Sequence, residues 1–283
     1  MSPSVGRDET WDLAPCFILE GGVSWWQTIG VKNYTARTYG DRHAAVYDEW
    51  YGDDGGIALT RIGNPDQVAT HVAHLADGGP VLELGVGSGR LALPLAAQGL
   101  TVTGVDASAA MLDLLRAKPD ADQITLIEGD MADPPGLADN SFAVVLVGFN
   151  TFFNLTTLAA QTTCMASIER LLQPGGHLVI EAFVPAPDGH DGLTVRTVEL
   201  DRVLLDAVQI DPEQQTITGQ RIEITEDGNR LFPYLLRYLT PEQFDQMAAQ
   251  TGMGLLTRHE NWAGEAFTKT SGTHVSVWQK PLN

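Results

Sequence analysis

Cysteine is scarce: the 283 residues hold only Cys16 and Cys164, too few for a disulfide framework or a Cys-rich zinc site. Basic residues are few as well, 17 Lys and Arg against 36 Asp and Glu, for a formal net charge of −19. Binding along a polyanionic backbone needs phosphates neutralised by Lys and Arg. No run of three basic residues occurs anywhere, so neither nucleic acid nor an anionic membrane surface is an expected partner. Arg7, Asp8, Glu9 and Asp12 also stand where an apolar leader would be expected to run. No secretion signal is expected, and a reducing cytoplasm fits the cysteine usage. Residues 140–168 carry no charge and are long enough to cross a bilayer. Gly148, Asn150, Asn154 and Gln161 interrupt them, so a strand, a loop and a buried helix are expected there instead.

What is present is an ordinary globular composition, 43% hydrophobic and 19% charged, in a chain long enough for one or two domains. Residues 1–60 are rich in Trp and Tyr without long regular periodicity and resemble an arm or lid. From 61 to 187 apolar strands alternate with amphipathic helices: 81–84 then 91–97, 101–105 then 108–118, 124–127, 142–147 then 158–172, and 177–183. That rhythm predicts a parallel, doubly wound α/β sheet covered on both faces. Residues 188–239 hold four strand-like runs separated by turn clusters, an antiparallel meander expected to carry substrate and to offer a face for pairing two subunits. Residues 240–283 add a helix capped by Thr240-Pro241 and a last strand at 274–279, expected to complete the core.

The chemistry centres on Glu83-Leu84-Gly85-Val86-Gly87-Ser88-Gly89, a strand-to-helix turn where the backbone can approach a ligand closely. A dinucleotide fingerprint would need glycine where Arg90 stands; a P-loop would need a following lysine; a nucleophile elbow would need glycines two positions either side of Ser88. None is met. What remains is an acid two residues before a Gly-x-Gly-x-Gly turn, with Asp106 at the next strand tip, 21 residues after Gly85. That spacing suits an acid accepting hydrogen bonds from ribose hydroxyls. Asp130 and Met131 fall at the third tip, where a carboxylate can take an exocyclic amine and the thioethers of Met111 and Met131 can flank a purine.

With Val144 to Asn150 and Leu171 to Val179, these motifs stand in an order that resembles the class I S-adenosylmethionine-dependent methyltransferases. The resemblance runs from about Tyr39 to Pro187, just over half the chain. It is strongest to the small-molecule branch that contains the amino-sugar N-methyltransferases of antibiotic pathways, which share the Val46-Tyr47-Asp48 element and a β-rich insertion after the fifth strand. The longer, Trp-rich amino terminus departs from it. The resemblance implies a Rossmann-like fold and S-adenosylmethionine as cofactor, with S-adenosylhomocysteine as its product. It implies that Glu83, Gly85 and Gly87 hold the methionine portion, Asp106 the ribose, and Asp130 with Met131 the adenine, while Tyr39, Ala107, Met111 and Phe149 also touch the cofactor.

Methyl transfer is an in-line displacement that positioning and desolvation can promote without a dedicated base. Tyr47, Tyr51, Asn150 and, as a candidate base, His190 are the residues expected on the reacting side. Glu181 is expected as a buried hydrogen-bonding acid or a substrate contact. His71 and His74 share a helix face but lack a third ligand nearby, so no metal is expected. The expected reaction is methylation of a small acceptor: the nitrogen of an amino sugar, or oxygen or carbon of another metabolite. A same-fold enzyme that uses the cofactor for rearrangement or decarboxylation is the open alternative.

Overall fold

The computed structural model describes residues 34–51, 63–186 and 191–282. Among the described residues of 1–60, 34–51, the regular element is helix α1, Thr38–Tyr51. Within the arm or lid zone, 38–51 is therefore helical, and the rest of that reading, outside 34–51, lies outside the described residues. The buried face of α1 is Gly40, His43, Val46 and Trp50, a helical spacing carried by only one aliphatic residue.

Helix α2 (Pro65–Ala76) begins as expected, with the Asn64 side chain accepting from the amides of Asp66 and Gln67. Then follow β1 (Val81–Leu84), α3 (Ala92–Ala97), β2 (Val102–Asp106), α4 (Ala109–Arg116), β3 (Ile124–Glu128), β4 (Phe142–Val147), α5 (Leu158–Leu171) and β5 (Leu172–Phe183). The uncharged stretch at 140–168 thus resolves into β4, a 3-10 turn at Thr151–Asn154 and most of α5. No described helix is long and apolar enough to cross a membrane.

The main sheet has the order β3-β2-β1-β4-β5-β11-β10 and is parallel from β3 to β5. Its last two members, β11 (Thr273–Gln279) and β10 (Gly254–His259), run antiparallel. β10 escaped the sequence reading, because Leu255 and Leu256 are both exposed on this edge strand and its register slips between Leu255 and Thr257. Side chains alternate along the central strands. Leu82, Leu84, Val145, Val147, Leu178 and Ile180 pack toward α5 and toward α6 (Pro241–Gln250). Val81, Val144, Leu146 and Val179 pack toward α2, α3 and α4. Chain direction across the sheet reverses between β1 and β4, and in such sheets ligands bind at that switch point.

The expected meander is a separate four-stranded antiparallel sheet: β6 (Gly192–Val198), β7 (Arg202–Asp211), β8 (Thr216–Thr225) and β9 (Gly228–Arg237). Val46 and Trp50 of α1 bury themselves against its Leu204 and Phe232. α1 therefore lies between the small sheet and the strand tips of the large one.

Candidate functional site

The β1 tip leads into Gly85 and Gly87, both at positive φ (73° and 54°), the conformation that favours glycine. At Gly87 the turn is tied to the neighbouring strand, its amide donating to Asp106 Oδ2 at 2.9 Å. The other Asp106 oxygen accepts from the Ser108 amide at 2.8 Å. Burial raises the Asp106 pKa; these two amides oppose the rise and the Asp41 charge adds to it. Ser108 is the cap of α4, as its position predicted.

A cavity of about 280 Å³ opens above these tips. Eight of the ten residues predicted to touch the cofactor line it: Tyr39, Gly85, Gly87, Asp106, Ala107, Met111, Asp130 and Met131. Asp130 Oδ1 is engaged by the Ala132 amide at 2.8 Å. Helix α1 is fastened over this cavity at two points, Ser108 Oγ donating to Asp41 at 2.7 Å and Ser88 Oγ to Asp48 at 2.5 Å.

Two predicted residues lie elsewhere. Glu83 is 4% exposed and is not in the cavity lining, yet its carboxyl is near enough to interact with Tyr47, Arg90 and Asp106. Its Oε2 is buried without a partner, as is Nη2 of Arg90, the residue that follows the glycine turn. Burial first, then the Asp106 charge against the opposing Arg90, leaves Glu83 at about 8. Phe149 lines a second cavity instead. With Asn150 it occupies the left-handed region (φ 48° and 61°), strained for a phenylalanine. Glu181 holds the pair: its Oε2 accepts from the Phe149 amide at 2.8 Å and its carbonyl from the Asn150 amide at 2.9 Å. The other Glu181 oxygen takes the Gly63 amide, so this acid is a hydrogen-bonding anchor. The Asn150 side chain is committed as well, its Oδ1 accepting from the Phe183 amide at 2.6 Å.

The second cavity, about 250 Å³, lies between α1 and the small sheet. Tyr47, Tyr51 and Asn150, named for the reacting side, line it together with Phe149, and Tyr39, Tyr47, Thr151 and Asn154 line both cavities. Burial, opposed by Arg90, raises the Tyr47 pKa, so its hydroxyl keeps its proton. His190 lies outside the described residues. His71 packs edge-on against Trp262, away from both cavities.

Sequence reasoning missed the polar wall that the small sheet contributes. Asp206 and Arg221 are register partners on β7 and β8, bonded Nε to Oδ1 at 3.0 Å and Nη2 to Oδ2 at 3.2 Å. Arg196 Nε reaches the same carboxylate, which is 1% exposed. Burial pushes Asp206 upward, but the hydrogen bonds and charges of Arg221 and Arg196 outweigh it and hold the carboxyl below its ordinary range. Arg221 Nη1 also donates to the Tyr51 hydroxyl at 2.5 Å. The available signal was a lone carboxylate, Asp206, inside the apolar run Val203–Val208 of β7. His43 and Arg90 were missed too; the first shares a helical face with Val46 and Trp50, and the second immediately follows the glycine turn.

Strand tips at a switch point, a glycine cradle and a ribose-type acid, opposite a second chamber, define a nucleoside-cofactor transferase. The profile described as "Methyltransferase domain" matches residues 81–176. A cypemycin N-terminal methyltransferase of Streptomyces sp is 30% identical over 210 residues, covering 72% of this chain and 84% of that one. The CcbJ methyltransferase structure from Streptomyces caelestis is 39% identical, superposes with a TM-score of 0.79, and covers 88% of this chain and all (100%) of that one. The S-adenosylmethionine-bound structure of CalS10, an amino pentose methyltransferase from Micromonospora echinaspora, shares the fold at 24% identity and a TM-score of 0.60, covering 83% of this chain and 96% of that one. The chain belongs to the class I S-adenosylmethionine-dependent methyltransferases and is a methyl-transferring enzyme.

Proposed function

We propose that the enzyme methylates the amine nitrogen of a small natural-product-like acceptor, an amino sugar being the leading class, and that it works in the cytoplasm on a metabolite of secondary metabolism. The observation that carries this reading is the pair of small cavities with a shared wall: one fits a nucleoside, the other a ring-sized acceptor. The names of its relatives support nitrogen, since the cypemycin enzyme acts on an amino terminus and CalS10 on an amino pentose.

The residues present fit the cofactor. Asp106 and Ala107 would hold the ribose; Asp130, Met131 and Met111 would hold the adenine. Gly85 and Gly87 would let the chain approach the amino-acid arm. The unpartnered Oε2 of Glu83 and the unpartnered Nη2 of Arg90, whose Nη1 donates to the Gly63 carbonyl, suit an ammonium and a carboxylate. Bound there, the cofactor supplies a methyl group activated on a sulfonium. The protein supplies position and dryness. Tyr39, Tyr47 and Tyr51 wall the space from water, Phe149 and Asn150 shape its floor, and Arg221 holds the Tyr51 hydroxyl in place. His190 remains a proposed base from the sequence alone. The outward face of the small sheet exposes Leu193 (61%), Val195 (58%) and Leu231 (55%), which supports the proposal that two copies pair there.

The test is incubation with methyl-labelled cofactor and a panel of amino sugars, amines and the matching alcohols. Label on the amines is the expected outcome; label confined to alcohols, or turnover without transfer, would replace this reading. Tyr47→Ala and Tyr51→Ala should cut transfer at least tenfold while S-adenosylhomocysteine affinity changes by less than about threefold.

A further inference from the structure

His43 takes no part in the roles assigned so far, yet it is built into the acceptor cavity. It is 1% exposed and stacks on Tyr39 one turn before it, ring centroids 4.1 Å apart and planes within 19°. Its Nδ1 lies 2.8 Å from the Tyr39 carbonyl oxygen. A carbonyl only accepts, so Nδ1 carries the proton and donates, and Nε2 is left with its lone pair. Phe232 and Trp50 enclose the ring, at 5.6 and 6.3 Å between centroids. Nε2 has no hydrogen-bond partner among the described residues, although His43 is part of the cavity wall. With its Nδ1 committed to the Tyr39 carbonyl and His43 in the cavity lining, Nε2 is the acceptor this residue can offer to what the cavity holds.

We propose that Nε2 of His43 accepts a hydrogen bond from the N–H group that the enzyme methylates, and so selects an amine as the acceptor. The proposal rests on reading the second cavity as the acceptor site. In the transfer, the amine lone pair forms the new N–C bond, the C–S electron pair stays with sulfur, and the N–H proton stays on nitrogen. As nitrogen becomes cationic, its hydrogen bond to Nε2 becomes charge-assisted, so the contact strengthens toward the transition state. Solvent takes the proton after release. A hydroxyl acceptor would instead have to give its proton up, and the imidazole is too weak a base for that. The ionisable groups lining the cavity with it are Tyr39, Tyr47 and Tyr51 (α1), Arg196 (β6), Asp206 (β7), Arg221 (β8) and Tyr234 (β9). Burial above all lowers the imidazole, to about 4; Arg221 adds to this, while the Tyr39 carbonyl and Asp206 oppose it. It stays neutral at physiological pH.

Nitrogen-15 spectra of ring-labelled histidine test this, with His43 assigned by its loss in His43→Asn. The probes are morpholine, at a pH where it is neutral, and 1,4-dioxane, the same ring with oxygen in place of N–H. Each titration is run with and without S-adenosylhomocysteine. Expected is an Nε2 signal that is unprotonated from about pH 6 to 9, that moves saturably with morpholine, and that ignores dioxane. His43→Asn retains a donor for the Tyr39 carbonyl but loses the distal acceptor, whereas His43→Gln carries an amide oxygen near the Nε2 position. Methyl transfer to the amine panel should fall about tenfold to a hundredfold in the Asn variant, as for loss of a charge-assisted hydrogen bond. It should partly return in the Gln variant, with cofactor-product affinity unchanged in both. A protonated Nε2, a signal indifferent to morpholine in both titrations, or wild-type transfer by the Asn variant would overturn the proposal. Failure of the wild type to bind S-adenosylhomocysteine would instead strike the cofactor reading, and the cofactor-free titration would still judge His43.

Discussion

A carboxyl as deeply buried as Glu83 ionises reluctantly, and at about 8 it holds its proton at neutral pH while the site is empty. A ligand that sets an ammonium beside Oε2 favours the carboxylate, so binding expels that proton. Affinity for S-adenosylhomocysteine should therefore rise as pH rises toward 8 and level off above it. Calorimetry at pH 7 in buffers of differing ionisation heat should register nearly one proton released, and none for Glu83→Gln. The same shift acts on stability. The folded pKa lies above the unfolded one, so the native state binds more protons between about 4.5 and 8. Stability of the unliganded protein falls as pH rises through that window, and Glu83→Gln should flatten the slope. Asp106 makes a different claim. Replacing it with Ala leaves ribose hydroxyls unpaired and should weaken S-adenosylhomocysteine binding by about 1–3 kcal/mol, while Asn, which keeps one acceptor oxygen, should lose less.

Among the elements, α1 is the one on which both cavities depend. Its hold on the cofactor side is a pair of serine–carboxylate hydrogen bonds, Ser88 to Asp48 and Ser108 to Asp41, with Lys118 also paired to Asp48 at 2.9 Å. Ser88→Ala should loosen this fastening without touching a cap, so dissociation of S-adenosylhomocysteine in stopped-flow should accelerate several-fold with little change in melting temperature. Ser108→Ala should do the same and also remove the α4 cap, at about 1 kcal/mol of stability. The parts of the molecule that sequence made legible are those governed by local chemistry. Asn64 and Thr240 announce helices, the glycine turn announces a close approach, and Asp106 and Asp130 stand at tips fixed by strand order. The second cavity was not legible in that way. It exists because a sheet at 192–237 folds back over a helix at 38–51, and pairs such as Asp206 with Arg221 follow from register, not from neighbourhood in the chain.

For the molecule as a whole, a net charge of −19 sets the long-range field. The enzyme should not retain tRNA or duplex DNA in a gel-shift experiment at physiological salt; salt-sensitive retention would point to a polynucleotide acceptor. The two chambers also share Tyr39, Tyr47, Thr151 and Asn154 as a common partition. One tethered molecule can therefore occupy both. A compound joining an adenosyl group to an amine through a short linker would make the second contact intramolecular, with an effective concentration in the millimolar range. It should bind about 10²–10⁴-fold more tightly than either half, provided the linker spans the partition. The length at which that gain peaks would measure, in bonds, how far the methyl group has to travel.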